Sequence, residues 1–172
     1  VKTVYPTSKC VEQKEKTVIE PDVPMEHSEE DILKMIKKYH ATLIVFSNML
    51  KAFHYCVLGS DFYSIHIKLQ DYYETIDQYI DDVAELLITE GAIPVLNLAD
   101  AIMLSWIGEY SFGGAITCKQ AMVHVSKQFD LLAEAMDELS YIIQNEGIAG
   151  LFGDHYLYYS KQNWMAKAYL QN

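Results

Sequence analysis

The sequence contains no arginine. All thirteen basic residues are lysines, set against twenty-four acidic residues, for a formal net charge of −11. Without the planar guanidinium, the chain lacks the side chain best suited to bidentate phosphate and guanine contacts. Nucleic acid is therefore not the obvious partner of the globular body. A negative body attracts cations, which suits metal traffic, although an acidic surface also simply keeps a protein soluble. Cysteine is sparse: Cys10, Cys56 and Cys118 are scattered and form no C-x-x-C pair. Neither a zinc knuckle nor a disulfide framework is indicated, and a reducing, cytoplasmic setting is expected. Long apolar runs are missing too. The mostly apolar stretch Ala41–Phe46 is far shorter than the roughly 20 residues of a membrane span. No charged-then-apolar leader opens the chain, so no signal peptide is evident, and no membrane partner is expected. Segments of strand period, internal repeats and low-complexity tracts are absent. So is any Glu-x-x-His, the motif that builds di-iron sites inside one helical bundle.

What remains is helical period in a chain of 172 residues, 51% of them hydrophobic, enough for one domain with a sizeable core. Residues 1–26 read as an arm. It carries Pro6, Pro21 and Pro24, a segment Ser8–Val18 compatible with a short helix, and, in its first twenty residues, four lysines (Lys2, Lys9, Lys14, Lys16) facing three glutamates. Residues 27–172 read as a four-helix bundle. Ser28 caps a first helix whose apolar stripe runs Ile32, Met35, Tyr39, Leu43, Phe46, Leu50, Phe53 and Val57, closed by Gly59. A second helix follows Ser60-Asp61 with Ile65, Leu69, Tyr72, Ile76, Tyr79, Val83 and Leu86, and ends at Gly91 and Pro94. The short turn makes these two an antiparallel hairpin. A crossover of about 25 residues, long enough to return along the bundle, carries a short helix at Leu98–Ile107. The third long helix shows Met122, Val125, Phe129, Leu132, Met136, Leu139 and Ile143 and is expected to stop at Gly147. The fourth is expected from about Leu151 to Leu170.

Four residues could do chemistry together. His54 lies five residues before Gly59 and His66 seven after it, so an antiparallel hairpin brings both imidazoles to nearly the same level. Asp81 and Glu85 are four apart and share a helix face. His66 and Asp81 are fifteen residues apart, about 22 Å along one helix at 1.5 Å per residue, too far to hold one ion within a subunit. A second subunit lying antiparallel would bring its carboxylates to the first subunit's histidines, and two-fold symmetry would make two such sites. Imidazole with carboxylate and open positions suits iron(II). Taken singly, the acid pair reads as a solvated face and each histidine as a structural or capping residue.

The surrounding residues resemble the Dps family, the DNA-binding proteins from starved cells. Leu50 through His66 (LKAFHYCVLGSDFYSIH) is similar to the family's His-Trp, Gly, Phe-Phe, Leu-His run, with the same histidine spacing. Asp81-Asp82-Val83-Ala84-Glu85 resembles its Asp-Glu-x-Ala-Glu segment, and Gly91-Ala92-Ile93-Pro94 the Gly-Gly-x-Pro that follows. Asn163 through Leu170 resembles its last helix. The likeness covers about residues 28–98 and 150–170. It implies an all-α, ferritin-like four-helix bundle with a short extra helix in the long crossover. It implies a stress-response mini-ferritin with ferroxidase activity, acting at inter-subunit sites and storing ferric iron in a hollow dodecameric shell. On that reading His54 and His66 come from one subunit, Asp81 and Glu85 from its neighbour, and hydrogen peroxide is the typical oxidant of iron(II). The alternative is a DNA-binding, nucleoid-compacting shell with weak or absent iron oxidation, for which Lys2, Lys9, Lys14 and Lys16 are the candidate contacts. A metal-free helical adaptor is a third reading, one that leaves the His, His, Asp, Glu spacing to chance.

The chain departs from the family pattern at three places. Four residues after the second histidine, where the family has a carboxylate, stands Gln70, a weak or outer ligand expected to lower affinity for a second iron and slow oxidation. Tyr55 replaces the family tryptophan. Gly150 falls where an acid often lines the three-fold pore, with Glu146 and Asp154 nearby. His40, His124 and His155 are expected at a surface or interface. Cys56 is expected to be a buried apolar side chain, and the Tyr156, Tyr158, Tyr159 cluster mostly packing, with a tyrosine near the metal as a candidate radical quencher.

Overall fold

The computed structural model describes residues 27–171. The arm of residues 1–26, with its proposed short helix and the lysines Lys2, Lys9, Lys14 and Lys16, lies outside the described residues. Within them the elements run α1 (Glu29–Cys56), β1 (Val57–Leu58), α2 (Phe62–Thr89), α3 (Leu98–Leu104), β2 (Ile116–Thr117), α4 (Cys118–Ile142) and α5 (Glu146–Leu170). Helices α1 and α2 pack as one hairpin and α4 and α5 as another, and α3 lies on α1. This is the four-helix bundle with a small crossover helix that the periodicity predicts.

Three of the four long helices begin at a side-chain cap. The Ser28 hydroxyl accepts the Asp31 N–H at 3.2 Å, and Glu29, Glu30 and Asp31 put negative charge against the positive end of α1. Thr117 and Gln120 form a reciprocal capping box at the start of α4. Asp61 stands at the N-cap of α2, but its carboxylate accepts the Tyr169 hydroxyl at 2.9 Å instead of a backbone amide, tying the α1–α2 corner to the last turn of α5. Gly59, with φ of +130°, makes that corner in a conformation a side chain would resist.

The core follows the predicted stripes, with shifts of a residue. Tyr39, Leu43, Phe46, Leu50, Phe53, Ile65, Leu69, Tyr72, Ile76, Val83 and the whole α4 stripe are buried. Ile36 is buried while Ile32 and Met35 are only half-buried, and Leu87 takes the deep position expected of Leu86. The hairpin between α4 and α5 departs further from expectation. Helix α4 ends at Ile142 and α5 starts at Glu146, so Gly147 and Gly150 lie inside α5. The cause is Asn145, whose Oδ1 accepts the N–H groups of Gly147 and Ile148 at 3.0 and 3.3 Å and so caps the helix ahead of the glycines. Helix α3 stops at Leu104 because the Thr42 hydroxyl on α1 accepts the Trp106 N–H at 2.9 Å, turning the chain away. A two-residue parallel ladder, Val57 with Ile116 and Leu58 with Thr117, pins the end of the crossover to the α1–α2 corner. Two residues are too few to show a period.

Candidate metal centre

The twelve-residue spacing of His54 and His66 brings the two imidazoles together at the α1–α2 corner. Their rings stack with centroids 3.8 Å apart and planes inclined by 19°. Each ring is bonded to the other residue's backbone. His54 Nδ1 lies 2.8 Å from the His66 carbonyl, and His66 Nδ1 lies 2.8 Å from the His54 carbonyl. A carbonyl oxygen only accepts, so in both rings Nδ1 carries the proton and donates. Whenever the rings are neutral this fixes their tautomer and leaves the lone pair on each Nε2. The His54 carbonyl is available because it belongs to the last turn of α1, where intrahelical donors run out. Where a histidine binds metal, an outer hydrogen bond of this kind orients the imidazole.

Aromatic side chains wall the pair. The Phe62 ring stacks on His66 at 4.9 Å, and Tyr73 and Tyr55 stand edge-on to His54 at 5.4 and 5.5 Å. His54 is buried and His66 half-buried. Cys56 beside them is half-buried, less covered than expected. Phe62 and Tyr73 escaped the sequence reading, although their positions four before and seven after His66 put them on its helix face.

Asp81 and Glu85 lie far along the same helix; both are exposed, as is Gln70 one turn after His66. At 1.5 Å per residue the fifteen residues from His66 to Asp81 span about 22 Å. Among the described residues, no three side chains of His, Cys, Asp or Glu converge on one point within the chain. The Gln70 amide nitrogen donates to Glu74 Oε1 at 2.7 Å. Around the helix, Gln70, Glu74, Asp81 and Glu85 fall within roughly 100° of arc from His66. So do Tyr63, Ile67 and Ile88, which are 82%, 57% and 61% exposed.

Two other histidines correct the expectation of a surface or interface. His40 and His155 are 2% and 1% exposed. His40 Nδ1 accepts the Val95 N–H at 3.3 Å and anchors the start of the crossover. His124 is half-buried against Tyr110, ring centroids 4.0 Å apart. Glu146, Gly150 and Asp154 are all exposed at successive turns of α5, on one face. No helix among the described residues is long and apolar enough to cross a membrane.

No family model matches the sequence. The chain is similar to the DNA protection during starvation protein of Helicobacter pylori, 27% identical over 140 residues, covering 80% of this chain and 96% of that one. The crystal structure of Dps from Staphylococcus aureus superposes with a TM-score of 0.78 at 27% identity, over 83% of this chain and 97% of that one. The Vibrio cholerae DPS protein, described as a member of a broad superfamily of ferritin-like diiron-carboxylate proteins, shares the fold with a TM-score of 0.77 at 22% identity, over 82% of this chain and 89% of that one. Over most of its length, in sequence and in fold, the chain is similar to proteins of the Dps family.

Proposed function

We propose that this protein binds iron(II) at sites shared between two antiparallel subunits, oxidises it, and stores the ferric product in a shell built from those subunits. The observation that carries this reading is the reciprocal imidazole–carbonyl lock. It holds two Nε2 lone pairs ready for a cation at one end of α2, while the oxygen ligands such a cation needs stand about 22 Å away on the same helix. A second copy running antiparallel supplies Asp81 and Glu85 to His54 and His66, and receives the same in return. The mixed face of α2 supports this pairing. Tyr63, Ile67 and Ile88 are largely exposed in the single chain and interleave with the acids, as expected of a surface that another copy covers.

Iron(II) is the substrate. Two imidazoles fix its position, and the two carboxylates bring negative charge that favours the ferric product over the ferrous substrate. Two iron(II) ions give one electron each to hydrogen peroxide, whose O–O bond breaks to give two hydroxides. Gln70 contributes a neutral oxygen, so the second ion is held less tightly than the first. The aromatic wall of Phe62, Tyr73 and Tyr55 keeps the imidazoles from rotating out of line. Stopped-flow oxidation of iron(II) by peroxide is the test. His54→Ala and Asp81→Ala should each slow the reaction by about 10- to 100-fold, the usual cost of disturbing a metal site. Wild-type rates in both variants would remove the site.

A further inference from the structure

The bundle core holds a polar cluster that iron binding at the α1–α2 corner does not use. Tyr39 on α1 and Tyr159 and His155 on α5 are each 1% exposed or less. The Tyr39 hydroxyl lies 2.9 Å from His155 Nδ1 and 2.6 Å from the Tyr159 hydroxyl. His155 Nε2 is buried with no hydrogen-bond partner among the described residues. Packing does not require these polar atoms, since phenylalanine would fill the tyrosine positions, and an unpartnered buried nitrogen is costly. Tyr39 stands fifteen residues before His54, about 22 Å along α1, so the cluster is no part of the corner site.

The hydrogen bonds have a direction. If Tyr159 O–H donates to the Tyr39 oxygen and Tyr39 O–H donates to Nδ1, only the imidazole Nε2–H lacks a partner. The reverse order would strand the Tyr159 proton as well as an Nε2 lone pair. The favoured order is a short proton wire that ends on an imidazole. Burial pushes the His155 pKa down to about 4, so that imidazole is an unoccupied base at neutral pH. Trp106, half-buried, stacks against Tyr39 with centroids 6.1 Å apart and an angle of 27°, the next ring toward the crossover side.

We propose that Tyr39, His155 and Tyr159 form a one-electron redox site in the bundle core, in which Tyr39 is oxidised and His155 Nδ1 receives its proton. The oxidant is a one-electron species of the hydroxyl-radical class, as arises where a single iron(II) gives one electron to peroxide. Tyr39 loses one electron, by way of Trp106, and the oxidant is reduced to hydroxide. The Tyr39 O–H bond breaks and the proton crosses to Nδ1, leaving a neutral phenoxyl radical and an imidazolium. Tyr159 keeps donating its hydrogen bond to the phenoxyl oxygen. The new cation is met on its face by the Tyr79 ring, 3.6 Å away and inclined by 19°, and by the attraction of the Asp82 and Asp154 carboxylates. The site therefore takes up damaging oxidising equivalents and holds them away from solvent.

The test needs no iron, which separates it from the reading of the corner site. Azide radicals generated by pulse radiolysis oxidise the intact assembled protein, and electron paramagnetic resonance of freeze-quenched samples reads the product. The wild type should give a long-lived phenoxyl radical with the lowered g-value of a hydrogen-bonded oxygen. Ring-deuterated tyrosine identifies the signal as tyrosyl. Tyr39→Phe should abolish the long-lived signal, His155→Gln should cut its yield and its solvent isotope effect, and Tyr159→Phe should keep the radical but raise its g-value. A wild-type protein without a long-lived radical, or one whose phenoxyl signal lacks the hydrogen-bond signature, overturns the proposal even where variants do not fold. A folded Tyr39→Phe assembly with an unchanged signal overturns it as well.

Discussion

At the scale of single residues, two positions separate ligand chemistry from core electrostatics. Gln70 spends its amide on Glu74 at 2.7 Å, where a carboxylate would repel Glu74 unless a cation lay between them. Gln70→Glu should therefore raise affinity for a second divalent ion by about tenfold, some 1.4 kcal/mol, while leaving the first unchanged. Calorimetry with zinc, which undergoes no oxidation, checks this, and an unchanged second affinity would place Gln70 outside the coordination sphere. His155 makes the opposite point, because burial keeps it neutral. Its folded pKa, about 4, lies below its ordinary value of 6.5, so the unfolded chain binds the proton first as pH falls. Its contribution is intact above about pH 6.5, is lost between there and about pH 4, and amounts to on the order of 3 kcal/mol per subunit. Denaturant unfolding at pH 7, 5.5 and 4 reads it as the difference between wild type and His155→Gln. Parallel pH profiles for the two proteins would contradict the assignment.

At the scale of elements, the sequence was most legible where a side chain does one job. Helix α4 and its C-cap Ile143 repeat a buried residue every three or four positions without interruption from Met122, and every one of them is buried. The α1 and α2 stripes drift by one residue, from Met35 to Ile36 and from Leu86 to Leu87, because 3.6 residues per turn cannot hold a repeat of 3.5 over 28 residues. The start of α5 was misread since glycine is a stop signal only when no cap competes, and Asn145 competes successfully. The level of His54 and His66 could be counted from Gly59. Their reciprocal bonds to each other's carbonyls could not, because they depend on how closely α1 and α2 approach. His40 and His155 were misjudged for the same reason: their partners, Val95 and Tyr39, are distant in sequence. Residue type alone argues for a surface, and only the packed bundle supplies the neighbours that make burial tolerable.

For the whole molecule, the question is what covers the exposed face of α2. Ile88 is 61% exposed in the single chain and shares a face with Asp81. A polar substitution on a free surface of this kind changes stability by under about 0.5 kcal/mol. Under a second copy the same change buries a charge among the partner's acids and apolar groups, which is far more costly. Ile88→Glu should accordingly leave each subunit's helices intact by circular dichroism while shifting the protein from shell to smaller species in native mass spectrometry. Iron oxidation should fall with it, since His54 and His66 would lose the carboxylates brought by the neighbour. The two losses must occur together, because they share one cause. An assembly that breaks while oxidation persists would mean that each chain completes its own site. An assembly that survives Ile88→Glu would mean that α2 faces solvent, and Asp81 and Glu85 with it.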